Sequence, residues 1–150
     1  MYFKIAKEGH LKAQNNIANM LLEGDGVKAN QSESLKWYLN AAKSGHPSSQ
    51  YNLGLLNYQG KILSKDYGEA FLWFKRAAEN GYADAQVSLA FMYAKGVDRQ
   101  PDAIQAYAWY TLAADSGNAK AAGDRYLLMQ SMTASDIEKA QSIASKFRSK

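Results

Sequence analysis

Cysteine is absent from this chain of 150 residues, which excludes disulfides, iron–sulfur clusters and cysteine-rich zinc sites. The redox compartment stays open, because a cysteine-free chain is stable in either setting. Proline occurs only twice and there is no low-complexity tract, against collagen-like and disordered architectures. No stretch approaches the roughly 18–20 apolar residues that span a bilayer. The opening MYFKIAKEG lacks a signal peptide's apolar run and small-residue cleavage site. As given, the chain reads as soluble and cytoplasmic, or as periplasmic or secreted if a parent protein carries an export signal upstream. A large charge excess is lacking too: 18 basic and 14 acidic residues leave +4. That is compatible with an acidic partner but does not by itself indicate nucleic acid. The 47% hydrophobic content is ordinary for one globular domain.

What the chain has in quantity is self-similarity. AKEGHLKAQ at 6–14, AKSGHPSSQ at 42–50, AENGYADAQ at 78–86 and ADSGNAKAA at 114–122 each begin 36 residues after the last. The same step links Gly9, Gly45, Gly81 and Gly117, links Gly24, Gly60 and Gly96, and links Trp37, Trp73 and Trp109. Each period holds two helical patterns. Helix A is expected at about 11–23, 47–59, 83–95 and 119–131, with Ile17, Met20 and Leu21, then Leu53 and Leu56, then Leu89, Met92 and Tyr93 on one face. Helix B is expected at about 31–43, 67–79 and 103–115, with stripes such as Leu35, Tyr38 and Ala42. No strand-like alternation persists, so the fold class is all-α.

The recurring residues have physical explanations. Glycine after each helix readily supplies a left-handed terminal residue. Pro47 suits a first helical turn. Small residues at Ala18, Gly54 and Ala90, and at Ser34, Ala70 and Ala106, let paired helices approach closely. The tryptophans and the aromatics after them fill the space between hairpins. An isolated hairpin cannot bury both its faces, so stability comes from stacking.

These motifs resemble the Sel-one-like repeat, a relative of the tetratricopeptide repeat. The residues that carry the resemblance are IANMLLEGDGV at 17–27 and SLKWYLNAAKSG at 34–45, LGLLNYQG at 53–60 and AFLWFKRAAENG at 70–81, and LAFMYAKGV at 89–97 and AYAWYTLAADSG at 106–117. The resemblance implies a right-handed α/α superhelix, a solenoid of 36-residue helix-turn-helix repeats. Full repeats are expected at 11–46, 47–82 and 83–118, within a single repeat domain over 1–150. Asn57 replaces the family's aromatic, and Ile62 and Leu63 break the G-x-G-V turn of the second copy.

Both ends carry expectations. Subtracting 36 from Trp37 gives Met1, so residues 1–10 are expected to be the end of a truncated helix B, with Tyr2, Phe3, Ile5 and Ala6 in its last turns. That suggests an excised fragment or a mis-assigned start. The fourth helix A degenerates at Gly123 and Arg125. Thr133 and Ser135 can then cap a final helix reaching about Phe147, with Ile137, Ala140, Ile143, Ala144 and Phe147 on its apolar face. It resembles the family's C-terminal capping helix, which makes that end read as native.

Catalytic constellations do not emerge. There is no S-x-x-K, G-x-S-x-G or G-x-x-x-x-G-K-[ST], and Gly24-Asp25-Gly26 is a turn rather than a dinucleotide fingerprint. His10 and His46, one repeat apart, read as solvated turn residues too far apart to share a metal. The scattered carboxylates read as caps and solubilising groups. The basic tail of Lys139, Lys146, Arg148 and Lys150 complements a helix C-terminus. No catalytic residue, metal site or cofactor is expected.

Specificity in a solenoid sits where positions vary. In helix A that set is Asn15, Asn19 and Leu22, then Tyr51, Leu55 and Tyr58, then Val87, Phe91 and Ala94. By analogy with related hairpin arrays these line the concave surface, with Asn16, Asn52, Ser88, Gln59 and Lys95 as a polar rim. An apolar centre inside a polar rim is how peptide-binding surfaces are commonly built; superhelical curvature that buries these residues between repeats is the competing reading. The partner-binding candidates are Asn15, Asn19, Tyr51, Asn52, Leu55, Tyr58, Val87 and Phe91. The expected function is a monomeric scaffold or adaptor holding a protein or peptide partner, with no nucleic acid and no membrane insertion. Family members act as scaffolds in signalling, protein quality control and bacterial host interaction, and the resemblance implies such a role, in a bacterial setting. It also implies an alternative, an enzyme or enzyme accessory acting on cell-wall peptides or β-lactams, although the serine–lysine spacing of that chemistry is absent.

Overall fold

In the computed structural model the described residues are 10–26 and 28–148. The expected helix-B remnant at Tyr2, Phe3, Ile5 and Ala6 lies outside them, as does Val27. The described residues form helices α1 (Leu11–Glu23), α2 (Gln31–Lys43), α3 (Pro47–Gln59), α4 (Tyr67–Glu79), α5 (Ala83–Lys95), α6 (Ala103–Asp115), α7 (Ala119–Met129) and α8 (Ala134–Arg148). Among them there is no strand. The first six helices keep the bounds that the periodicity predicts, and most of their ends carry a chemical signal. Asn30, Asp66 and Asp102, one per repeat, accept the backbone N–H of Glu33, Glu69 and Gln105, each at 3.0 Å, and so cap the B helices. The N–H of the same three residues reaches back to the carbonyls of Leu21, Asn57 and Tyr93 at 2.7–2.9 Å. This closes every A-to-B loop in the same way.

The packing divides the chain into two compact units, one ending at Trp73 and one beginning at Phe74. In the first, α1 and α2 meet at small residues. Ser34 Oγ donates to the Ala18 carbonyl at 2.6 Å, and both residues are fully buried. Tyr38, Ala42, Leu53, Leu56 and Trp73 make the core, with Ile62 and Leu63 packed against it. The two residues that break the family turn therefore extend the core. Asn57 is buried without an aromatic's volume and donates to the Leu53 carbonyl at 3.0 Å.

The second unit is organised around α6, which packs against α5, α7 and α8. Every residue from Ala106 to Ala113 is buried, as a helix covered on all sides requires. The final helix opens with a reciprocal cap: Asp136 N–H donates to Thr133 Oγ1 at 3.0 Å, and Thr133 N–H donates to Asp136 Oδ2 at 3.1 Å. Its Phe147 ring lies 4.6 Å from the Trp109 ring, and Arg148 pairs with Asp115 at 2.6 Å. In the degenerate fourth helix A, Arg125 replaces the missing apolar contact. Its guanidinium lies 5.8 Å from the Tyr107 ring centre and donates to Thr111 Oγ1 at 3.3 Å.

The glycines after the A helices and those after the B helices differ in how tightly they are held. A Cβ on Gly96 would stand 2.7 Å from the Arg99 carbonyl oxygen and from Pro101, whereas one on Gly117 would meet nothing within 4 Å. Both have positive φ, 68° and 93°. Gly117→Ala should therefore lose only the left-handed penalty, about 1–2 kcal/mol, and Gly96→Ala clearly more. Urea denaturation of the two variants checks the order. Phe147→Ala should cost about 2 kcal/mol and shift tryptophan emission to the red as Trp109 becomes wet.

Candidate functional site

Within the first unit, the expected surface residues are partly absorbed by the structure. Asn15 is only 6% exposed. Its Oδ1 accepts from Ser49 Oγ at 2.8 Å and from Asn52 Nδ2 at 3.2 Å, so it fastens α1 to α3. The reason is geometric: position 15 faces the neighbouring A helix, and a buried amide is stable only when partnered. Asn19 is half-buried, and its Oδ1 accepts from the Tyr38 hydroxyl. Burial, and secondarily the charge of Glu23, pushes the Tyr38 phenol up to about 12. Tyr51, Leu55 and Tyr58 are half-buried, and the Tyr58 ring lies 5.1 Å from that of Tyr67 in a tilted arrangement.

His46 departs from the expectation of a solvated turn residue. It is half-buried at the start of α3, where Nδ1 accepts the Ser49 N–H at 3.3 Å. Ser49 Oγ, 2.8 Å from the same nitrogen, continues the chain to Asn15. His10, at the equivalent place, is exposed and makes no side-chain cap.

A recurring glutamine carries structural work that its sequence position does not announce. Gln50 Nε2 donates to the Ala42 carbonyl at 3.1 Å within the first unit, and Gln86 Nε2 to the Ala78 carbonyl at 3.2 Å within the second. Both are buried and tie an A helix to the B helix before it.

The second unit holds the open surface. Val87 is half-buried, but Phe91 is 40% exposed. It borders a cleft of about 470 Å³ lined by Phe91 and Ala94 of α5 and by Leu127 and Leu128 of α7. Leu127 is 68% exposed. Lys95, Lys120 and Asp124 supply charge, and Tyr110 contributes from α6. Burial, with Asp124 second, pushes the Tyr110 phenol up to about 12. Leu127 went unread in the sequence because Gly123 and Arg125 mark the fourth helix as degenerate. The signal was nonetheless present, since Leu127 stands 36 residues after Phe91.

The Sel1 repeat model matches residues 11–46, 47–82 and 83–118. The chain belongs to the Sel1 repeat family. It is similar to the Sel1 repeat protein from Oxalobacter formigenes, with 34% identity over 83% of this chain and 94% of that one and a TM-score of 0.80. It is also similar to a protective antigen with an SLR fold present in uropathogenic Escherichia coli strains. That match has 30% identity over 99% of this chain and a TM-score of 0.86, but covers only 32% of the antigen. No curated protein matches. The fold is thus the all-α solenoid of Sel1 repeats, a class that generally serves as protein-interaction scaffolds. No helix among the described residues is long and apolar enough to cross a membrane.

The His46 arrangement has a pH signature. Burial lowers its pKa from 6.5, so the unfolded chain takes up the proton first. Stability is complete above about pH 6.5 and declines as pH falls from there towards the lower folded value. Between about pH 7.5 and pH 5.5 the melting temperature should fall more for the wild type than for His46→Asn, whose amide can still cap α3. Equal slopes would show that His46 is not the group responsible.

Proposed function

We propose that this Sel1 repeat chain is a non-catalytic scaffold that holds a partner polypeptide against its A helices, with the cleft between α5 and α7 as the principal seat. One observation carries this reading. Phe91 and Leu127 occupy the same place in successive repeats and leave bulky apolar side chains exposed on either side of a cleft, while Leu89, Ala90 and Met92 beside Phe91 are buried. Packing does not need these two side chains outside, and large apolar groups around a concave surface mark interaction sites. Val87, half-buried one turn before Phe91 on α5, is assigned a supporting contact in the cleft, and Tyr51, Leu55 and Tyr58 offer half-buried side chains as separate partner contacts within the first unit. Asn15 and Asn19 hold side chains in place rather than touching the partner, and Asn52 joins Asn15 in that role.

The cleft suits a peptide in size and chemistry. A volume of about 470 Å³ accommodates two or three side chains rather than a folded domain, within the range of small-ligand sites. Selection from a displayed library of random twelve-residue peptides tests the proposal. Enriched peptides should lose at least tenfold in affinity for the double variant Phe91→Ser, Leu127→Ser. They should keep full affinity for Leu72→Ser, which removes another exposed apolar side chain, 47% accessible. The double variant should melt close to the wild type, because exposed positions contribute little to stability. Failure to enrich any peptide, or equal binding by the double variant, would refute the assignment.

A further inference from the structure

Resting on that reading, we infer that the occupant of the α5–α7 cleft is an acidic peptide segment, whose bulky apolar side chain sits between Phe91 and Leu127 while its flanking carboxylates meet Lys95 and Lys120. Lys95 lies one helical turn after Phe91 on α5, and Lys120 lies two turns before Leu127 on α7. Both are exposed and line the cleft, and neither side chain makes a hydrogen bond or ion pair among the described residues.

Lys120 is the more telling of the two. It stands in the first turn of α7, which carries no acidic residue. The helix dipole presents positive charge there, so a lysine is placed against the local field. Asp124, one turn on, is the one acidic residue of α7 that offsets this placement, and an anionic ligand would offset it further. Lys95 has the simpler explanation of a cation at a helix C-terminus, but it also lines the cleft.

Asp124 sets a boundary on the chemistry. It lies one turn after Lys120 on α7 and lines the same cleft, where its charge offsets Lys120 and repels a carboxylate placed beside it. Lys95 is accordingly the stronger anchor, and a carboxylate bound near α7 sits towards the start of that helix. The chain's net charge of +4 adds a weak general attraction for an acidic partner.

The test uses three capped twelve-residue peptides that share a central Leu-Phe pair, flanked by glutamates, by glutamines or by lysines. Each is labelled with fluorescein and titrated with the full chain in an anisotropy assay. The glutamate peptide should bind three- to tenfold tighter than the glutamine peptide, and the difference should shrink at high salt. Lys95→Glu with Lys120→Glu should reverse the order in favour of the lysine peptide, with circular dichroism unchanged. Asp124→Asn should tighten the glutamate peptide alone. Equal binding of glutamate and glutamine peptides, both lost in the Phe91→Ser, Leu127→Ser variant, overturns the acidic preference and leaves the peptide cleft standing. Absence of binding by the glutamate peptide also overturns it, and the library selection decides the underlying reading independently. Equal competition by a twenty-nucleotide single strand would mean unspecific attraction of polyanions, and the inference would fall.

Discussion

The close approach of paired helices at small residues governs the rest of this molecule. Ala18 against Ser34, and Gly54 and Ala70 at the same places one repeat on, are all buried in the first unit; Ala90 and Ala106 take these positions in the second. At such positions the backbones come near enough for Ser34 to reach the Ala18 carbonyl and for each B-helix cap to bond back across its loop. A larger residue there would force the helices apart, and overpacking of that kind costs roughly 1–3 kcal/mol. The aromatic residues then fill the interior around these contacts, Tyr38, Phe74 and Tyr110 among them being buried. Trp73 and Trp109 are accordingly buried by neighbouring helices within their own units.

A framework fixed in this way separates packing positions from presenting positions. The place occupied by Asn19, Leu55, Phe91 and Leu127 shows the separation. Asn19 is tied to Tyr38, Leu55 is half-buried, and Phe91 and Leu127 stand increasingly open. The backbone environment is shared while the side chain changes from a structural amide to a free apolar group. In the proposed scaffold role, a partner that gains most of its binding energy from a few well-placed apolar anchors needs only that last pair.

Most of the architecture was legible because it is periodic. A step of 36 residues carried through glycines, tryptophans and alanines marks helix ends and helix faces at once, and α1 to α6 keep the predicted limits. The site was less legible, for two reasons. Asn15 varies between repeats as a surface residue would, yet it is buried, because its oxygen meets Ser49 and Asn52, two donors of the next repeat. A variable polar position reads identically whether it faces water or a polar partner. Leu127 was hidden by the opposite effect: a helix that looked degenerate from Gly123 and Arg125 still carried the presenting position in register.

The same degeneracy leaves α7 as an open wall of the proposed cleft. Ala121 is its only fully buried residue, so apolar burial alone holds it weakly. Arg125 compensates through Tyr107 and Thr111, contacts worth on the order of 0.5–2 kcal/mol. α7 also packs along α6 and is capped by Asn118, so Arg125 adds to these contacts. Phe91, by contrast, stands on α5, whose Leu89, Ala90 and Met92 are fully buried. The proposed cleft therefore sets Phe91, on a helix anchored by a fully buried face, opposite Leu127, on a helix with little buried apolar surface.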